Sequence, residues 1–346
     1  MLGNGEVDKM NAELARNLDE KSTLVDQALE NFLRQSPPVP NLHEGLLYAL
    51  GLDQTDPAIR GKRIRPALCL ITCETLGGKV EDALPFALSV ELMHNFFLVH
   101  DDIEDGDAFR RGRPSVWKKY GLAHGINIGD YLYTKVFEAF LLRDTLSPQL
   151  RIDLLKLLLE TLDHTHVGQA QDINALACDS ITLDQYLDIV THKTGYYLAA
   201  PMIGGARIAH AETQTLQAIR NLGRYVGPVF QIVDDTIDLT TGKGREAVGS
   251  DIREGKRSYL VAHTASNATE AERAELFRIL DLPREETLPE HIQTVQTLFS
   301  RYKAVEAGQA FCHQLMESAR QAMIGAPPAL RDTLLGIFDG LLERKR

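Results

Sequence analysis

Two acidic clusters hold the densest potential chemistry in this chain: Asp101-Asp102-Ile103-Glu104-Asp105 and Asp234-Asp235-Thr236-Ile237-Asp238. Both read D-D-x-x-D. Asp101 and Asp105 stand four residues apart, as do Asp234 and Asp238, so on a helix each pair projects from one face. Like charges at that spacing destabilise a helix, and the cost rises where the helix is buried. A hard divalent cation relieves both problems. Mg2+ takes oxygen ligands, keeps several waters, and is typically held by one or two carboxylates together with phosphate oxygens. Each cluster follows an apolar segment, LPFALSVELMHNFFLVH at 84–100 and YVGPVFQIV at 225–233. A helix apolar on every side is normally a buried one. A solvated acidic helix end is the competing reading for one cluster alone, and the second copy weighs against it. Neither cluster has the glycine and distal glutamate of an EF-hand.

Cations accompany the acids. Gly61-Lys62-Arg63-Ile64-Arg65-Pro66 places three in four positions, and Lys62 and Arg65 share a face if helical. Arg110-Arg111 and Arg113 follow the first cluster. Arginine grips phosphate through two parallel hydrogen bonds, and lysine holds it as a point charge. Arg63 and Arg113 read equally well as surface cations. Carboxylates for a metal beside cations for phosphate suit a diphosphate ligand.

The elements that must position these residues read as helices. Residues 8–35, 64–77, 82–105, 126–145, 147–177, 183–209, 213–241, 287–305 and 308–324 show helical periodicity, and alternating strand patterns are lacking. The length of 346 residues suggests two domains, yet no linker or low-complexity tract divides the chain. The expectation is one all-α domain over 1–346, with a motif-bearing core of about 45–325. Residues 1–40 form an N-terminal helix and a turn at Pro37, Pro38 and Pro40. With 44% hydrophobic residues the chain is not disordered, and a net charge of -11 argues against nucleic acid and anionic lipid as partners. Cys69, Cys73, Cys178 and Cys312 make no disulfide framework, and Cys69 and Cys73 read as apolar fillers. No signal-peptide pattern opens the chain and no stretch reaches the apolar length of a membrane span, so a cytoplasmic protein is expected.

Six motifs in order resemble the trans-isoprenyl diphosphate synthases, the polyprenyl synthetase family of farnesyl and geranylgeranyl type. They are GKRIRP at 61–66, HNFFLVHDDIEDGDAFRRGRPSVW at 94–117, GQAQD at 168–172, KTG at 193–195, FQIVDDTID at 230–238 and GSDIREGKRS at 249–258. The resemblance implies a single large helical bundle around a central cavity, the two clusters facing each other at its mouth, in a homodimer. It implies a Mg2+-dependent condensation of isopentenyl diphosphate with an allylic diphosphate (dimethylallyl, geranyl or farnesyl), with three ions per active site once diphosphate is bound. Asp101, Asp105 and Asp234 would ligate Mg2+, supported by Asp102 and Asp238. Gln169, Asp172 and Asp235 would orient this shell. Arg110, Lys193 and Lys256 would hold the allylic diphosphate. Lys62, Arg65, His94 and Arg111 would hold isopentenyl diphosphate. Thr194, Gln231 and the Lys193 carbonyl would face the cationic carbon. His94 alone, on an apolar helix, would otherwise read as a core residue.

One departure stands out. The family carries a lysine where this chain has Ala247, and Lys243 or Arg245 would have to replace its charge. Phe96 and Phe97 lie about one turn deeper than Asp101 and would floor the cavity. The resemblance implies that aromatics at these positions go with a C15 or C20 product, with a slight preference for C15. Two rivals remain. A class I terpene cyclase shares the first D-D-x-x-D but lacks the second and the isopentenyl site. A non-catalytic regulatory subunit carries C-x-x-x-C, as Cys69–Cys73 does, but loses carboxylates that are intact here.

Overall fold

The structure, a computed structural model, describes residues 4–141, 146–240 and 248–342. Its backbone there is almost wholly helical, as the periodicity predicts. The sheet present is a two-stranded antiparallel ribbon, Phe109–Arg110 against Arg113–Pro114. Several helix starts carry their own signal. Thr182 and Thr269 each form a reciprocal capping box, with Gln185 and Glu272, and Ser258 caps Tyr259–Asn267. The chain divides into two compact units.

The first unit gathers the described residues up to Leu159, with Ala200–Ile219 and Gly325–Ile337. Its centre is the helix Val80–Glu104, packed by Asn4–Leu33, Ile64–Thr75 and Leu122–Leu141. Phe86, Leu92, Met93 and Phe140 are fully buried there, and each such side chain contributes about 1.5–3 kcal/mol by leaving water. Cys69 and Cys73 are buried free thiols, as fillers would be. Val80–Glu104 qualifies the membrane expectation. By length and composition it could cross a bilayer, but 67% of its apolar window is buried inside the protein. It also holds a buried charge, Glu91, paired with Arg63 at 2.7 Å. Arg63 reaches Asp26 at 2.8 Å and the Leu50 carbonyl at 2.5 Å as well. It is therefore a core strut, not a surface cation.

The second unit gathers Glu160–Ala199, Arg220–Ile324 and the described residues from Phe338. Tyr259–Asn267 packs against Leu183–Val190, Glu270–Leu280, Pro289–Arg301 and Ala304–Ala322. The single helix expected over 183–209 is broken in three: Leu183–Val190, a π-helix Thr191–Gly195, and Tyr196–Ile208. Close approach of backbones accompanies the break. A Cβ on Gly168 would lie 2.3 Å from the Lys193 nitrogen, and one on Gly227 would lie 2.6 Å from the Gly195 Cα. Only glycine permits main chains that near. Single π-turns of this kind recur at functional sites.

Candidate active site

In the first unit the acidic cluster ends the helix Val80–Glu104, with Asp105 as its C-cap. Asp101 and Asp105 are partly exposed, whereas Asp102 is buried. Asp102 accepts a fork from Arg110, Nε at 2.6 Å and Nη2 at 2.5 Å. A guanidinium has five donors, so this fork does not exhaust Arg110. The ribbon presents the arginines. Arg111 and Gly112 form its turn with φ of 53° and 74°, the primed geometry that matches strand twist. Arg111 donates to the Ile59 and Arg60 carbonyls at 3.0 and 3.1 Å, and burial lowers its pKa to about 10. Arg113 is tied up elsewhere, by Asp53 at 2.9 Å and by the Tyr48 ring 3.7 Å beneath its guanidinium. Lys62 is exposed and Arg65 partly exposed, on either side of inward-turned Arg63.

His94 is drawn into this cationic group. Burial first, then the charges of Arg65, Arg111, Arg110 and Arg63, hold its imidazole well below its ordinary pKa. A neutral ring can still donate one N–H to an anion. Between His94 and the acidic end of the same helix, Phe96 is buried and packs against Phe97, His100 and Tyr133 at centroid distances of 4.9, 5.0 and 5.1 Å. Tyr133 in turn meets Phe137 edge-on at 5.2 Å. Sequence reading missed Tyr133, which reaches the wall from the helix Leu122–Leu141, although its pairing with Phe137 at four residues' spacing was a visible signal.

In the second unit the π-helix carries Lys193 and Thr194. Lys193 Nζ sits 2.7 Å from Asp172, which shares a helix face with Gln169. Thr194 is buried. Further along, the Gln231 amide donates to Asp235 at 2.9 Å, which turns its carbonyl end away from that carboxylate. The Tyr186 hydroxyl reaches the other Asp235 oxygen at 3.4 Å, and burial with Asp235 pushes the phenol pKa well up. Asp238 is fully buried, accepting from Ser250 Oγ at 2.6 Å and the Asp251 amide at 3.1 Å. Asp234 is partly exposed. Lys256 bridges Asp251 at 3.3 Å and Glu254 at 2.6 Å. A small cleft is lined by Asp235, Asp238, Asp251 and Lys256 among others. Behind it Arg257, fully buried, straps the Leu176 and Cys178 carbonyls at 2.8 and 3.1 Å and Asp281 at 2.5 Å. Lys243, Arg245 and Ala247 lie outside the described residues.

The donor chemistry fits Mg2+. Both clusters sit in the last turns of long helices, Val80–Glu104 and Thr213–Thr240, neither of which has a basic residue in its last turn. Carboxylates there add to the negative end of the helix dipole, where a cation is favoured. All the donors are hard oxygens. Among the described residues no three His, Cys, Asp or Glu side chains converge as a protein-only cage would. Mg2+ bound mainly through waters and substrate phosphates needs no such cage.

Comparison with known proteins gives the family. The polyprenyl synthetase family profile matches residues 54–299. The short chain isoprenyl diphosphate synthase of Methanothermobacter thermautotrophicus is 34% identical over 289 residues, 82% of this chain and 87% of that protein. The geranylgeranyl diphosphate synthase of Methanosarcina mazei is 36% identical over 72% of this chain and 74% of its own. Among solved structures, geranylgeranyl pyrophosphate synthetase from Pyrococcus horikoshii superposes with a TM-score of 0.84 at 28% identity, covering 96% of this chain and 99% of that one. A profile that spans both acidic clusters and relatives that share most of their length leave one assignment: the chain belongs to the polyprenyl synthetase family and is a prenyltransferase.

Proposed function

We propose that the chain is a short-chain trans-prenyltransferase: the allylic C–O bond breaks with loss of diphosphate, the allylic cation alkylates the double bond of isopentenyl diphosphate, and the resulting cation loses a proton, which leaves with the released diphosphate, to give a C15 or C20 allylic diphosphate. The observation that supports this reading is that each unit holds an acidic helix end with a partly exposed carboxylate together with cations of its own, Lys62, Arg65, Arg110 and Arg111 in one unit and Lys193 and Lys256 in the other. The two units act as one polyprenyl synthetase domain, in a cytoplasmic homodimer.

Asp101, Asp105 and Asp234 would hold Mg2+, supported by Asp102 and Asp238, whose observed bonds to Arg110 and to Ser250 and Asp251 stiffen the two ends. When bound, Mg2+ supplies the charge neutralisation that makes diphosphate a competent leaving group. Arg110, Lys193 and Lys256 bind the allylic diphosphate, and Asp172, 2.7 Å from the Lys193 ammonium, holds it in place. Lys62, Arg65, Arg111 and neutral His94 bind isopentenyl diphosphate. Thr194, the Lys193 carbonyl and the carbonyl end of Gln231 face the allylic cation as fixed dipoles, with Gln231 turned by Asp235 and Gln169 lying beside Asp172. The apolar wall around Phe96 and Phe97 keeps water from the cation and meets the end of the growing chain. Two adjacent rings favour C15, while the names of the relatives favour C20.

Labelled isopentenyl diphosphate tests the reaction class. A prenyl synthase incorporates the label into an acid-labile allylic diphosphate and does nothing with an allylic diphosphate alone. A cyclase makes hydrocarbon without isopentenyl diphosphate, and a regulatory subunit makes neither product.

A further inference from the structure

The π-helix that carries Lys193 and Thr194 is held by a group of rings that the chemistry above leaves unused. His164, on the helix Pro148–Ala175, lies flat against Tyr196, with centroids 3.6 Å apart and planes within 10°. His192, inside the π-helix, completes the group at 5.3 Å from His164 and 5.9 Å from Tyr196. His192 and Tyr196 thus bracket Lys193 and Thr194 along the chain, and His164 joins them from the helix Pro148–Ala175. Tyr196 also closes the π-turn, because its amide donates to the Thr191 carbonyl five residues back.

The second contact lies one helical turn beyond His164. Gly168 is pressed so near that a Cβ there would meet the Lys193 nitrogen at 2.3 Å. The helix therefore touches the π-segment twice, once by backbone and once by a ring stack. Isolated π-turns are rare and depend on their surroundings for support. The groups facing His164 are His192 from the π-helix, Glu160 and Asp163 from its own helix, and Arg220. Burial and His192 keep its imidazole below the ordinary pKa, so a neutral ring makes the stack.

We propose that His164 is a positioning residue: its stack on Tyr196 locks the π-turn and so sets where Lys193 and Thr194 meet the allylic substrate. The inference rests on the reading of Lys193 as an allylic-diphosphate ligand. His164 touches no substrate, and its effect is confined to one of the two substrates.

Steady-state kinetics of His164→Ala and His164→Phe, with each diphosphate varied in turn, tests this. Misplacing a reacting group by an ångström costs up to a hundredfold, so a partial loosening should cost about tenfold. His164→Ala should raise KM for the allylic diphosphate and lower kcat, together about tenfold, and leave KM for isopentenyl diphosphate within about twofold. His164→Phe, which keeps a flat ring, should restore wild-type constants. Tyr196→Leu removes the other face of the stack and should reproduce the same split, which keeps the test decisive if His164→Ala fails to fold. Unchanged constants, parallel movement of both KM values, or no rescue by phenylalanine would overturn the inference alone. Wild-type protein that makes no product overturns the prenyltransferase reading and this inference with it.

Discussion

Removing the rings beneath the first acidic cluster should lengthen the product. Phe97 and Phe96 lie four and five residues before Asp101, about 6 and 7.5 Å deeper along the helix. Phe96 is 6% exposed and locked among Phe97, His100 and Tyr133, so Phe96→Ala leaves a cavity and costs about 3–5 kcal/mol of stability. Phe97 is partly exposed, and its loss costs less, about 1–3 kcal/mol. The two residues touch, so the double variant sums imperfectly. The two losses together, about 4–8 kcal/mol, overlap the low end of a typical stability of about 5–15 kcal/mol, so Phe97→Ala alone carries the test if the double variant unfolds. The assay is mass spectrometry of the products after dephosphorylation, with melting curves run in parallel. Phe97→Ala should add one five-carbon unit to part of the product, and the double variant should shift most of it. A folded, active double variant with the wild-type product distribution would refute the floor, since the melting curve would prove that the cavity had opened.

Three further outcomes follow from particular contacts. Asp101→Ala should abolish turnover, because it removes a carboxylate that would hold Mg2+; activity of that variant would refute the metal assignment. Arg63→Met leaves buried Glu91 without its cationic partner, with only the Asn95 amide still donating to it, while Asp26 keeps Arg60; it should lower stability by about 3–5 kcal/mol in denaturant melts, whereas a surface arginine would cost almost nothing. Of the four cysteines, only exposed Cys178 should react quickly with a thiol reagent in the folded state. Cys69 is buried, and burial pushes Cys73 and Cys312 to about 11 and about 12, so these three should react only after unfolding, and a second fast thiol in native protein would contradict the packing.

What could be read from the sequence was what is written in local spacing. The D-D-x-x-D pairs, the GKRIRP and RRGR cations and the long helical periods each occupy a few consecutive turns, and the all-helical fold follows from them. The harder features depend on partners far away in sequence. Arg63 looks like its neighbours Lys62 and Arg65, but its φ of 46° turns it inward to Asp26 and Glu91. The break in the expected helix over 183–209 depends on glycines at 168 and 227, which lie on two other helices and look unremarkable singly. The ribbon at Phe109–Pro114 escapes a period-based reading because each strand is only two residues long. Arg257 reads as one more cation of the GKRS motif, and only its straps to Leu176, Cys178 and Asp281 show that it holds the Lys256 loop in place.

The most direct measurement incubates the purified protein with isopentenyl diphosphate and each allylic primer in turn, with and without Mg2+, and determines product chain length. The prediction is Mg2+-dependent formation of a C15 or C20 allylic diphosphate with one diphosphate released per condensation. Product formed without any divalent cation, or no incorporation of isopentenyl diphosphate with any primer, would contradict it.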